Sequence, residues 1–330
     1  MGKAKDNTTA SKRLVWVDWM KVIGMYFIIL GHLFPDYHLF IYVFNVPLFF
    51  IISGFLSKKA TESSLFWNKL WYNLIVPMLI ITSTLLIYKF CISIVKGEPD
   101  FERFMYFPLQ LILGMHSALG TCWFIYTLVI LKIIYYYTPQ KIIYQLLLIT
   151  FFVLVAASLK YIGFIQSCGL INICVSYPFF IIGTWIKEHG VVLLRPLSIS
   201  ASVLVFAASV IIVYACGCLG KNVWMYVNGY GEDYMIFLIG GVAGTIAVYI
   251  MSRWIVNLDL PIVHTISNGM IIILGYHIEI LSLMRNKVLH GIHDYDLLIS
   301  IVVLLAFVPV ITFSEKYLPL LLGKYRTNRK

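Results

Sequence analysis

The chain has 330 residues, of which 61% are hydrophobic and 12% charged, and its mean hydropathy is +0.89. That composition lies well outside the range of soluble globular domains and points to an integral membrane protein. A formal net charge of +10 would suggest a nucleic-acid partner in a soluble protein, but here the basic residues sit in loops and tails beside apolar runs, where they set orientation and argue against nucleic acid.

Residues 1–13, MGKAKDNTTASKR, are polar and read as a cytoplasmic tail. A cleaved signal is not expected, because the apolar run that follows is of full membrane length and lacks a small-residue cleavage site. That run, Leu14 to Phe34, carries three ionisable side chains: Asp18, Lys21 and His32. A titratable group in the bilayer core is costly and normally faces a protein interior, where it marks function. On a helix, Lys21 and His32 project about 20° apart, with Asp18 about 60° from Lys21 and about 40° from His32. All three therefore share one face, and His32 lies roughly 16 Å beyond Lys21 along the axis. Asp18, three residues before Lys21, is expected to hold it in place. Gly24 and Gly31 open the same helix to a close neighbour. A snorkelling Asp18 and Lys21 pair with one core histidine is the plainer reading; a one-sided stripe ending in a histidine favours a lined reaction path or ion path.

After a turn over Pro35 to His38, Leu39 to Leu56 returns through the membrane, reading VFNVPLFFIISGFL from Val43 onward. Pro47 in mid-span removes a backbone bond that Asn45 is expected to satisfy, and Ser53-Gly54 offers a small surface for close contact. Trp71 to Val95 is the third span. The polar loop KGEPDFERF leads to an amphipathic piece, Met105 to Ala118, interrupted by Pro108 and Gly114 and expected at the interface. Further spans are expected at Thr121 to Tyr137, Ile142 to Ser158, Ile171 to Ile186, Pro196 to Cys216, Tyr234 to Ser252, Thr265 to Leu283 and Leu297 to Phe313. These make an all-α, polytopic membrane protein of about ten helices with both termini on one side. Sixteen of its 25 Lys and Arg residues fall on that side and six on the other, so both termini are expected in the cytoplasm. Without an internal repeat or a soluble domain, residues 14–330 read as a single ten-helix transmembrane domain, and any chemistry belongs among the helices.

The six cysteines show no zinc-type spacing, so no metal is expected and they read as small hydrophobes. A disulfide among Cys168, Cys216 and Cys218 stays open. Lys89 and Lys132 lie near span ends and are expected to snorkel. His277 and Glu279 are about 200° apart on a helix, so only one can face a cavity; His277 is the candidate, with Glu279 reaching the interface beside Arg285. His116 is a lesser candidate for acceptor binding. His264, His290 and His293 read as solvated loop or edge residues.

Asp18-x2-Lys21-x10-His32 followed by FFIISGF resembles the membrane-bound acyltransferase 3 family. In that family the first span carries a basic residue, ten residues and an essential histidine, and the second a Phe-Phe-x-x-Ser-Gly-Phe signature. Cys122-Trp123-Phe124 is similar to the family's aromatic motif entering a middle span, and Gly275-Tyr276-His277 to a late span ending in histidine. One departure is plain: where the family clusters basic residues before Pro77, NKLWYNLIVP keeps only Lys69, with Asn73 where Arg is common. The resemblance covers nearly the whole chain and is nearest to the branch that O-acetylates sugars or polysaccharides.

The resemblance implies a multi-pass protein of a bacterial inner membrane that transfers an acetyl group from cytosolic acetyl-CoA to a hydroxyl of a carbohydrate or cell-surface glycan. His32 would be the base or acyl carrier, with Asp18 and Lys21 in the same stripe. Lys21, Lys69, Ser53 and Trp123 would hold the donor, and Asn45, His277 and His116 the acceptor. An oligomer is left open. A proton-coupled transporter using the Asp18, Lys21 and His32 stripe is the alternative, although paired repeats with matching helix breaks are not evident. A purely structural membrane protein would need no such stripe.

Overall fold

The computed structural model describes residues 13–33, 38–60, 62–163, 169–190, 195, 197–221, 223–227, 229–284 and 295–324. The tail residues 1–12, Cys168, Arg285, His290 and His293 lie outside the described residues.

Helix α1, Val15–Leu33, runs through the bundle and is met by the second span, which returns antiparallel as α2, His38–Ile41, and α3, Asn45–Leu56. Two glycines allow the approach: a Cβ on Gly24 would lie 2.6 Å from Leu48 Cδ2, and one on Gly31 would lie 2.8 Å from Tyr42 Cε1. At the other end Trp16 meets Phe55 edge to face, centroids 5.3 Å apart. The start of α1 is therefore level with the end of α3, and His32 is level with the start of the second span.

The second span is not continuous, as the sequence suggested. It breaks over residues 42–44 and restarts at Asn45, so Pro47 sits in the first turn of α3, where its missing N–H removes no helix bond. Asn45 has no mid-span gap to repair; its Oδ1 accepts from the Val46 amide at 2.8 Å.

The third span begins earlier than expected. Helix α4, Ser63–Leu70, passes through a π-helical turn, Trp71–Ile75, into α5, Val76–Val95. Helix α6, Phe101–Ile112, carries Pro108 inside it and stops before Gly114, whose φ of +70° suits glycine. A short α7, His116–Leu119, and a 3-10 turn lead into α8, Trp123–Tyr137. Then come α9, Ile142–Tyr161, α10, Leu170–His189, and α11, Ile199–Gly220. Gly54 of α3 and Gly183 of α10 put two backbones in contact, since a Cβ on either would collide with the other helix's carbonyl groups at Phe180 and Ile51. Helices α9 and α11 sit at the rim with apolar side chains outward, on a surface suited to lipid. Cys216 and Cys218 are free thiols.

A hairpin of two-residue strands, β1, Val223–Trp224, and β2, Gly229–Tyr230, precedes α12, Tyr234–Trp254. The expected span from Thr265 to Leu283 is in fact two helices, α13, Pro261–Asn268, and α14, Met270–Met284, bent by 79°. The break falls at Gly269, where a Cβ would run into Ile311 of the last helix, α15, Asp296–Tyr317. Helix α13, PIVHTISN, is too short and polar to cross on its own and lies against the start of α1. Nine spans among the described residues are long and apolar enough to cross a membrane, and the bent pair makes a tenth. The protein is an all-α, multi-pass membrane protein.

Candidate active site

Between α1, α3, α5, α8 and α14 lies a cavity of about 650 Å3 whose wall includes Lys21, His32, Asn45, Ser53, Trp123 and His277. Six residues singled out from sequence are thus brought together by four helices, α1, α3, α8 and α14. The alternating helix directions give the cavity two ends. On the side of the chain's N-terminus lie Lys21, Ser53, Leu56 and Lys132; on the far side lie His32, Tyr42, Gly120 and His277. Along α1 alone the distance from Lys21 to His32 is roughly 16 Å.

At the far end two imidazoles meet. His32 is exposed although Gly31 and Leu33 on either side of it are buried, and its ring centroid lies 5.2 Å from that of His277. Tyr42 flanks it at 6.1 Å and donates its hydroxyl proton to Gly31 O at 3.0 Å. His277 is buried at 2% exposure. Its Nδ1 lies 3.0 Å from Ile273 O and 2.9 Å from Leu274 O, two acceptors that require the proton on that nitrogen. Its Nε2 therefore carries the lone pair, and no described atom hydrogen-bonds to it. A buried acceptor without a partner is uncommon in a folded protein.

Asp18 does not share the cavity with Lys21 and His32. Its carboxylate takes Arg13 Nε at 2.5 Å, Ser267 Oγ at 2.5 Å and His264 Nδ1 at 3.2 Å, all on the side where α13 crosses α1. The direct Asp18 and Lys21 pair is replaced by a relay, because Ser267 lies between them, 3.5 Å from Lys21 Nζ. The bend at Gly269 is the reason: it carries a polar helix to the start of α1 and outcompetes an i, i+3 contact. His264 is accordingly no solvated edge residue; it bridges Asp18 and Asp259, the latter at 2.5 Å.

Other expectations are corrected as well. Lys69 is exposed on α4 and does not line the cavity, because the helix begins before Trp71 and presents that residue outward. His116 stands one residue behind the wall, its ring stacked 5.1 Å from Tyr226, which does line the cavity. Lys89 and Glu279 face each other at 3.3 Å in the cavity wall rather than reaching separately for the interface. Both His277 and Glu279 border the cavity although they diverge around α14, so the expectation that only one of them can face it does not hold. Lys132 turns into the cavity instead of snorkelling, and donates to Ser57 Oγ at 2.7 Å. Ser267 and Lys132 were not legible as partners, since each meets its counterpart across long stretches of sequence.

A comparison with protein families matches residues 14–314 to the model described as an acyltransferase domain. Neither a curated protein nor a solved structure matches the chain.

Proposed function

Because the chain belongs to the acyltransferase 3 family, we propose that it moves an acyl group, acetyl in the simplest case, from cytosolic acyl-coenzyme A to a hydroxyl of a carbohydrate or cell-surface glycan. The observation that carries this reading is the single cavity joining Lys21 at one end to His32 and His277 at the other. The bias of Lys and Arg toward the N-terminal side supports a cytoplasmic placement of that side. A long, flexible thioester entering there can present its carbonyl beside the imidazoles. The setting would be the inner membrane of a bacterial cell.

In direct transfer the acceptor oxygen attacks the thioester carbonyl while its proton passes to His32. The C–O bond forms, the C–S bond breaks, and the imidazolium returns the proton to the departing sulfur, releasing coenzyme A as the thiol. In the two-step route the neutral His32 nitrogen attacks the thioester carbonyl and coenzyme A leaves as the thiolate; the acceptor hydroxyl then forms the ester, displacing the imidazole, and its proton goes to the thiolate sulfur. The unpaired Nε2 of His277, beside His32, is a second acceptor for the hydroxyl's hydrogen bond. Asn45 and Tyr42 supply polar wall at the same end.

The test is to incubate the purified protein with acetyl-labelled coenzyme A and a glycan hydroxyl acceptor and to follow free thiol and transferred label. Wild type should release thiol and His32→Ala should not. An intact thioester throughout, with solute flux in vesicles, would turn the same stripe into a transport path and end this reading.

A further inference from the structure

Beside the N-terminal-side end of the cavity, where Lys132 lines the wall, lies a cluster of cations that the catalytic end does not use. Ser57, the residue that follows α3, receives Lys132 Nζ of α8 on its hydroxyl at 2.7 Å and Lys187 Nζ of α10 on its carbonyl. Lys58 is next in the chain and lies close enough to Lys187 to act on its charge. Lys59 donates to Thr138 O at 2.8 Å.

Two of these lysines have a structural explanation. Lys187 and Lys59 each cap the last carbonyls of a helix, where the backbone lacks partners and the helix dipole favours a cation. Lys132 has none of this. Among the described residues it hydrogen-bonds only to a neutral hydroxyl, that of Ser57; its ammonium lies 5.7 Å over the Phe180 ring, and it lines the cavity beside Leu56, Leu74 and Leu128. No carboxylate of the described residues forms an ion pair with it. Glu188 acts on Lys187 and Tyr135 instead. Two ammonium groups meeting at one residue in an apolar wall repel each other, and a cation at this depth ordinarily has a counter-charge.

We propose that Lys132, with Lys187 and Lys58 beside it, is the binding site for the phosphate groups of the acyl donor. This rests on the acyl-coenzyme A reading above, and it assigns the anion grip to α8, α10 and the end of α3 rather than to α4, where Lys69 points outward. The chemistry is that of a phosphate monoester or diphosphate, which anionic lipid headgroups share. Lys132 favours the donor because it opens on the cavity that leads to His32.

The experiment uses the full chain in nanodiscs of phosphatidylcholine, with coenzyme A and acetyl-pantetheine, which lacks the nucleotide phosphates, as probes. Lys132→Met keeps the apolar stem and removes the charge. It should weaken coenzyme A binding at least tenfold and leave acetyl-pantetheine unchanged, while Lys132→Arg retains most of the affinity. Undiminished coenzyme A binding by a folded Lys132→Met would overturn the phosphate site and leave the proposed reaction standing. Wild type that binds neither probe would overturn both. In phosphatidylglycerol nanodiscs, loss of lipid retention without loss of coenzyme A binding would give the site to the bilayer and overturn the proposal. If the variant does not fold, amine-directed labelling of Lys132 in wild type decides: protection by coenzyme A but not by acetyl-pantetheine supports the site, and equal labelling overturns it.

Discussion

His32 of α1 and His277 of α14 stand with their ring centroids 5.2 Å apart, and the two imidazoles are not equivalent. His32 is exposed, whereas His277 is buried with its Nδ1 proton committed to its own helix and its Nε2 unpartnered. The exposed member of the pair can take a proton or carry a group; the buried member, with Nδ1 committed, can only orient what comes near. This inequality separates the two substitutions that follow.

His32→Ala should lower acyl transfer by about 10²–10⁴-fold, the usual contribution of a positioned acid–base group. Donor affinity should change little, because Lys21 and Lys132 sit at the other end of the cavity and Lys89 is paired with Glu279. Turnover and coenzyme A binding measured on the same preparation check this; a matching loss of binding would mean that His32 holds the donor rather than reacting.

His277→Asn places an amide nitrogen near the position of Nδ1, so the bonds to Ile273 O and Leu274 O are kept while Nε2 is lost. Thermal stability should stay near wild type and turnover should fall by about tenfold, one hydrogen bond's worth of transition-state contact. His277→Phe, which loses both, should be less stable as well. A His277→Asn enzyme with full activity would reduce His277 to a structural role.

How much of this was readable beforehand follows from the range of the interactions. The stripe of Lys21 and His32 and the small surface at Ser53-Gly54 come from helical spacing, a local property, and the structure keeps them: both ends of the stripe line one cavity, and Gly54 abuts α10. Asp18 was misread because its partners Ser267 and His264 arrive from α13, 246 or more residues away. The break at Gly269 was hidden because apolar residues continue past it, and only the clash a Cβ would make with Ile311 shows why the chain bends there. Lys132 looked like a snorkelling residue because position along a span does not reveal which way the side chain turns.

Asp18→Asn should act on stability more than on chemistry. The carboxylate joins Arg13, Ser267 and His264 and so ties α1 to α13, while the cavity lies on another face. Removing the charge leaves buried donors poorly matched, at a cost of about 1–3 kcal/mol; the half-open Arg13, 42% exposed, keeps the loss at the lower end. A lower unfolding midpoint with coenzyme A affinity little changed is the expected result. A rate loss of two orders of magnitude at an unchanged midpoint would return Asp18 to the catalytic stripe.

Gly54→Ala tests the packing that builds the cavity wall. A Cβ there would collide with the Phe180 carbonyl oxygen, and Gly183→Ala would collide in the same way with that of Ile51. Neither contact can be relieved by a side-chain rotation, since each obstacle is backbone. Helices α3 and α10 must separate, and with them move Ser53 in the cavity wall and the Lys187 bond to Ser57. Overpacking of this kind costs about 1–3 kcal/mol and more where nothing yields. Gly97→Ala is the control: its φ of +79° makes the substitution strained, yet nothing lies within 4 Å, so it should cost only about 1–2 kcal/mol of local backbone strain. Unfolding midpoints in one detergent should therefore fall more for Gly54→Ala than for Gly97→Ala, and only Gly54→Ala should also weaken coenzyme A binding. Equal midpoints with intact binding would mean that α3 and α10 do not depend on this contact.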